Sequence, residues 1–142
     1  MPVEFPSDEL NDIIDKALRA VSASTRLTAT EVWGNLGREA PVDEGRLAAS
    51  FNLERLSDEE YRITSNVLYA LFVQEGTGVF GPTGQPIVPV SASVLVFEIG
   101  GETIFARSVR GMEANPYVDR AMDKAEMRIE EFAAMALQEV GL

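Results

Sequence analysis

Phe51-Asn52-Leu53-Glu54-Arg55-Leu56-Ser57-Asp58-Glu59-Glu60-Tyr61-Arg62-Ile63-Thr64-Ser65 alternates in side-chain character, breaks, and alternates again. A period of two puts Phe51, Leu53 and Arg55 on one face of a strand, and Tyr61, Ile63 and Ser65 on one face of a second. Ser57-Asp58-Glu59-Glu60 between them is rich in turn-forming side chains. The stretch reads as a β-hairpin set among helical patterns, which points to an α+β fold.

On the N-terminal side, Leu10, Ile13, Ile14, Ala17, Leu18, Val21, Thr28, Val32 and Leu36 recur every three or four residues. That spacing draws an apolar stripe along one long helix, starting at Ser7 with Asp8 and Glu9 at its positive end and reaching about Arg38. Its middle, Ser22 to Thr30, is rich in Ser, Thr and Ala, so it packs closely or weakly. Pro41 forces Ala40 toward an extended conformation and ends the helix, and Asp43 is placed to cap a short helical segment through Ser50.

On the C-terminal side, Leu68 to Gln74 suits a short buried helix stopped by Glu75-Gly76-Thr77-Gly78. From Gly76 to Pro89 there are four glycines and three prolines, too many for a regular element. This segment, extended to residue 93, reads as an exposed loop or arm. Its apolar Val79, Phe80, Pro86, Ile87 and Val88 argue against simple disorder, because a solvated linker has no use for them. Val94 to Ile99 and Thr103 to Arg107 flank Gly100-Gly101, a strong hairpin signal. Asn115 and Pro116 then open a long C-terminal helix with a stripe running from Val118 through Ala121, Met122, Ala125, Ile129, Phe132, Ala136 and Val140. The pattern predicts a single domain over 1–142, with two long helices packed on a small antiparallel sheet and a long Gly/Pro-rich loop.

Composition excludes much of chemistry. A chain of 142 residues can bury roughly 70% of its unfolded surface in one core. Twenty-three acids against twelve bases and no histidine give a net charge of -11, which repels phosphate and disfavours nucleic-acid recognition through a basic face. Without histidine or cysteine there is no histidine-based triad, thiolate nucleophile, Cys/His zinc site or disulfide. The apolar runs are too short to span a bilayer and the N-terminus lacks a leader pattern, which predicts a soluble protein.

The remaining candidates are weak. Asp8, Glu9, Asp12 and Asp15 suit the helix dipole better than a metal, and lack a glycine-containing calcium loop. Glu98 and Glu102, bordering a hairpin turn, are weak candidates for a carboxylate-dependent hydrolase. No phosphate-binding or nucleophile-elbow motif occurs. Arg120, Lys124 and Arg128, interleaved with acids, read as i to i+4 surface pairs, and Met127 falls off the helix stripe. No catalytic, cofactor-binding or metal-binding residue is assigned.

Three segments together are more distinctive. Ala40-Pro41-Val42-Asp43-Glu44-Gly45-Arg46-Leu47-Ala48-Ala49-Ser50, then Tyr69-Ala70-Leu71-Phe72-Val73-Gln74-Glu75-Gly76-Thr77-Gly78, then Asn115-Pro116-Tyr117-Val118-Asp119-Arg120-Ala121 resemble, in order and spacing, the tail-component family of tailed bacteriophages. The chain departs from that family's pattern at Glu44, where threonine is common, and at Tyr117, where phenylalanine is. On their own physics these motifs are structural. Pro41 and Asp43 fix a helix break, Gly45 permits a close approach or an unusual dihedral, and Arg46 and Glu75 suit an ion pair. Tyr69, Val73 and Tyr117 suit a core or an interface.

The resemblance implies a virion protein of the head–tail junction, present in the host cytoplasm during assembly. It implies a homo-oligomeric ring, six copies in the expected form, meeting neck or head-closure and tail-tube or tail-terminator proteins and letting DNA pass, with Val79, Phe80, Pro86, Ile87 and Val88 of the loop as candidate contacts to a neighbouring subunit or the tail. Tail-terminator and head-closure roles are neighbouring alternatives, and an acidic cytoplasmic adaptor that binds a basic partner is a third class.

Overall fold

The computed structural model describes residues 2–4, 7–41 and 45–142, with only the backbone of Ile99. Contacts gather them into two compact units: residues up to Asn66 together with Val118–Leu142, and Val67–Tyr117. The fold is α+β, as the sequence predicts.

In the first unit, helix α1 spans Ser7–Glu39, about 50 Å at 1.5 Å per residue. It runs unbroken through its Ser/Thr-rich middle, where the threonine hydroxyls are satisfied on the helix's own carbonyls. Thr25, Thr28 and Thr30 donate to the carbonyls of Val21, Ser24 and Arg26 at 2.8, 2.9 and 2.8 Å. Ala40 still donates to the Leu36 carbonyl before Pro41. Val42 and Asp43, the expected cap, and Glu44 lie outside the described residues.

From Gly45 to Ala49 the chain makes a single turn, not the short helix expected through Ser50, closed by Ala49 N–H to Gly45 C=O at 3.1 Å. Gly45 has φ +64, and among the described residues nothing lies within 4 Å of where a Cβ would stand, so the dihedral calls for glycine. Leu47 is buried beneath this turn. Strands β1 (Phe51–Arg55) and β2 (Tyr61–Ser65) pair antiparallel, with Phe51 opposite Ser65 and Leu53 opposite Ile63. The Trp33 indole N–H donates to the Phe51 carbonyl at 2.9 Å and ties the hairpin to α1.

The expected long C-terminal helix is two, α3 (Tyr117–Glu126) and α4 (Ile129–Glu139). At the join, the Arg128 N–H reaches the Ala125 carbonyl three residues back, which pinches the turn without any proline or glycine. Helix α4 packs along α1. Ala20, Ala121, Ala125 and Ala136 are buried with Leu36 and Phe132, and the small side chains let helix backbones approach closely.

The α1 stripe is covered only in part. Leu36 is buried, whereas Leu10, Ile13, Ile14, Leu18 and Val21 remain 47–58% exposed. At roughly 15 Å each, α3 and α4 are too short to follow a helix of α1's length.

The second unit holds helix α2 (Ala70–Glu75), a 3-10 turn (Gly78–Phe80) and strands β3 (Leu95–Ile99) and β4 (Glu102–Ala106). Gly100 and Gly101, at φ +59 and +84, form the tight turn that the sequence predicts. The four strands therefore make two separate two-stranded ribbons, where one small sheet was expected.

Candidate functional site

The Glu75-Gly76-Thr77-Gly78 motif is a backbone clasp. The Thr77 N–H donates to the Met112 carbonyl at 2.9 Å, the Met112 N–H donates to the Thr77 hydroxyl at 2.8 Å, and the Val79 N–H donates to the Arg110 carbonyl at 2.7 Å. Glycine is demanded here by both dihedral and space. A Cβ on Gly76 (φ +80) would lie 2.8 Å from the Phe80 carbonyl oxygen and 2.9 Å from the Ala114 nitrogen. One on Gly78 would overlap the Arg110 carbonyl, and one on Gly111 the Thr77 carbonyl.

Farther along, Ile87 and Val109 exchange N–H···O bonds at 2.8 and 3.0 Å. The segment expected as an exposed loop or arm is fastened to 109–112 at both 77–79 and 87, while residues 82–88 between and beside these points are exposed. Of its proposed contact residues, Val79 is half-buried, and Phe80, Pro86, Ile87 and Val88 reach solvent. The Arg110 guanidinium lies 5.5 Å from the Phe80 ring centroid. Sequence reading missed Arg110, Gly111 and Met112, the other half of the clasp. Gly111 was the available signal, an isolated glycine outside any element.

The second and third motif segments meet. The Tyr117 hydroxyl donates to the Ala70 carbonyl at 2.9 Å, and the Asn115 N–H donates to the Val73 carbonyl at 2.8 Å. Tyr117 is 1% exposed and Val73 is buried, as expected; Tyr69 is half-buried and Pro116 exposed. Burial pushes the Tyr117 hydroxyl pKa above its usual value. In the first segment, the Ser50 hydroxyl donates to the Leu47 carbonyl and lies 2.6 Å from the Ser65 hydroxyl, fixing the turn to β2. Arg46 and Glu75, expected as an ion pair, fall in different units.

The C-terminal basic residues, expected as i to i+4 surface pairs, cross to α1, and Arg128 also pairs three residues along its own chain with Glu131. Arg120 Nε donates to Glu39 Oε2 at 2.9 Å, and Lys124 bonds the other oxygen. Arg128 bonds Glu31 at 2.9 Å and Glu131 at 3.0 Å, and covers the Phe132 ring at 4.6 Å. The Lys124 and Arg120 hydrogen bonds hold the Glu39 carboxyl below the ordinary glutamate range. The Arg128 hydrogen bond does the same for Glu131. Glu31 and Glu39 carry no local sequence signal for this role, because their partners lie 81 to 97 positions away.

The weaker candidates acquire no chemistry. Glu98 and Glu102 sit exposed at the β3–β4 tip, opposite Thr103 and Ile99. Asp12 pairs with Lys16 at 3.2 Å and Asp15 with Arg19 at 3.3 Å. Among the described residues no group of three or more acids is placed to hold a metal ion. An open groove of about 510 Å³ runs past Leu18, Arg26, Arg55 and Tyr61, but Arg26 is paired with Glu139 and Arg55 with Asp58, which leaves no unbalanced charge for a ligand. No helix among the described residues is long and apolar enough to cross a membrane. Compared with protein-family models, with curated proteins and with solved structures, the chain matches none.

Proposed function

We propose that this chain is a structural protein of the head–tail junction of a tailed bacteriophage, assembling as a homo-oligomeric ring of six copies that joins tail to neck. The observation that carries the reading is the use made of the three motif segments. Gly76, Thr77 and Gly78 clasp a neighbouring backbone, Tyr117 and Ala70 join the second segment to the third, and Leu47 and Ser50 anchor a turn. The motif residues hold a shape, which is what a part with a geometric task requires.

The charge supports the same reading. A net -11 per subunit, repeated around a ring, disfavours adhesion of DNA phosphates in transit. Neighbouring neck, head-closure, tail-tube or tail-terminator proteins are the partners, and the virion is the destination after assembly in host cytoplasm. Electron microscopy of the purified protein, alone and mixed with tails, tests this. Closed rings that cap or extend the tail end are expected; particles of subunit size that leave tails unchanged would overturn it.

A further inference from the structure

The β3–β4 ribbon is an unfinished sheet. Each of its strands pairs on one side only among the described residues, so both outer edges present unpaired backbone groups. Two-stranded ribbons are marginal in water, and exposed edges are usually blunted by lysine, proline, a bulge or an inward-pointing charge. None of these guards the body of this ribbon. Leu95-Val96-Phe97 and Thr103-Ile104-Phe105-Ala106 carry no charge and no proline, and the register runs without a bulge.

Both faces are apolar as well. Leu95, Phe97, Ile104 and Ala106 are half-buried on one, while Val96 and Phe105, opposite each other across the strands, are 60% and 67% exposed on the other. Beside them in sequence, Val88 and Val90 are 57% and 101% exposed. A face that loses its alternation on an isolated ribbon is one meant to be covered.

Charge indicates what covers it. Residues Gly76 to Phe97 are twenty-two consecutive positions without an ionisable side chain, in a chain that is 25% charged. The whole second unit has four acids, Glu75, Glu98, Glu102 and Glu113, and two arginines, out of the chain's 23 acids and 12 bases. Copies of a subunit with net charge -11 repel, and they meet at least cost through the region that carries almost none of that charge. The ribbon is also self-complementary. Its open β4 edge is antiparallel to the open β3 edge of an identical copy set beside it.

We propose that neighbouring copies of this chain join edge to edge through this ribbon, the β4 edge of one against the β3 edge of the next, making a continuous antiparallel sheet. The arrangement is head-to-tail, the kind of contact that closes into a ring when the rotation per copy permits. It deepens the ring reading and rests on it for closure.

Sedimentation of the full chain and of Phe105→Glu, with far-UV circular dichroism of both, tests the proposal. The unchanged chain should run as a ring, and the variant at subunit mass with its secondary structure intact. A second measurement does not depend on that variant folding. The chain has no cysteine, so Val96→Cys and Phe105→Cys proteins are made singly, mixed, and treated with a bis-maleimide long enough for directly opposite or diagonal cross-strand positions, about 5–8 Å. Linked dimer should be several-fold more abundant in the mixture than with either protein alone. Rings that persist in Phe105→Glu, with no excess linkage in the mixture, would overturn the proposal and leave the ring reading standing. Linkage as strong with Val96→Cys alone would signify a two-fold β3–β3 pair and overturn the head-to-tail contact. An unchanged chain that stays monomeric, even on tails, would remove both.

Discussion

Thr77 and Met112, thirty-five positions apart, hold each other twice, N–H to carbonyl at 2.9 Å and N–H to hydroxyl at 2.8 Å. Thr77→Val keeps the first bond and loses the second, and should cost about 1 kcal/mol, whereas Thr77→Ser should be close to neutral. Gly78→Ala meets the Arg110 carbonyl at a left-handed dihedral and should cost at least about 2 kcal/mol. Urea midpoints of the three variants give the order; a Gly78→Ala as stable as the parent would mean that the clasp is looser than described.

Tyr117 separates packing from hydrogen bonding. Tyr117→Phe retains the ring and removes the bond to the Ala70 carbonyl, for a loss of about 1 kcal/mol. Tyr117→Ala should lose about 3–5 kcal/mol, in line with buried aromatic truncations. Thermal unfolding of the pair reads the difference directly.

Glu39 sets a pH dependence. Its hydrogen bonds to Lys124 and Arg120 lower its carboxyl pKa in the folded protein below the ordinary 4.5. The unfolded chain therefore binds the proton first on acidification, so the stabilisation is present above 4.5 and fades as pH falls through the lowered value. The Tm gap between parent and Glu39→Gln should be constant near neutrality and close in acid. A gap that widened on acidification would reverse the assigned sign.

The two halves of α1 should respond differently to substitution. Leu36→Ala, in the buried half, should cost about 2–5 kcal/mol. Leu10→Gln and Leu18→Gln, on the uncovered half, should change subunit stability by no more than about 0.5 kcal/mol. Comparable losses at all three positions, by chemical denaturation, would show that the N-terminal half is covered in solution.

Salt should strengthen self-association. Screening at high ionic strength shortens the Debye length to about 3 Å at 1 M and weakens repulsion between acidic copies, while an uncharged contact is left intact. Sedimentation across a salt series should show more assembled protein as salt rises; dissociation would indicate a contact built from ion pairs.

Local signals carried the elements well. The stripe of α1, the alternation of Phe51–Arg55 against Tyr61–Ser65, and Gly100-Gly101 each state their conformation within a few residues. The break at Met127 and Arg128 was hidden because neither residue is a helix breaker, and the interruption is a pinch of one backbone turn. The pairing of Arg128 with Glu31, and of Arg120 with Glu39, depends on which helix lies alongside, and spacing along one helix says nothing of that. The clasp was half legible. Gly76 and Gly78 announced unusual backbone, but the segment that requires it, Arg110 to Met112, lies far along the chain and looks like ordinary loop.

The first unit is assembled from residues on both sides of the second. During synthesis α1 emerges with its apolar stripe bare, and α3 and α4 follow only after Tyr117. At about 5–20 residues per second that interval lasts on the order of 4–16 s. For those seconds Ala20 and Leu36, which the finished unit buries, wait for the helices that complete it.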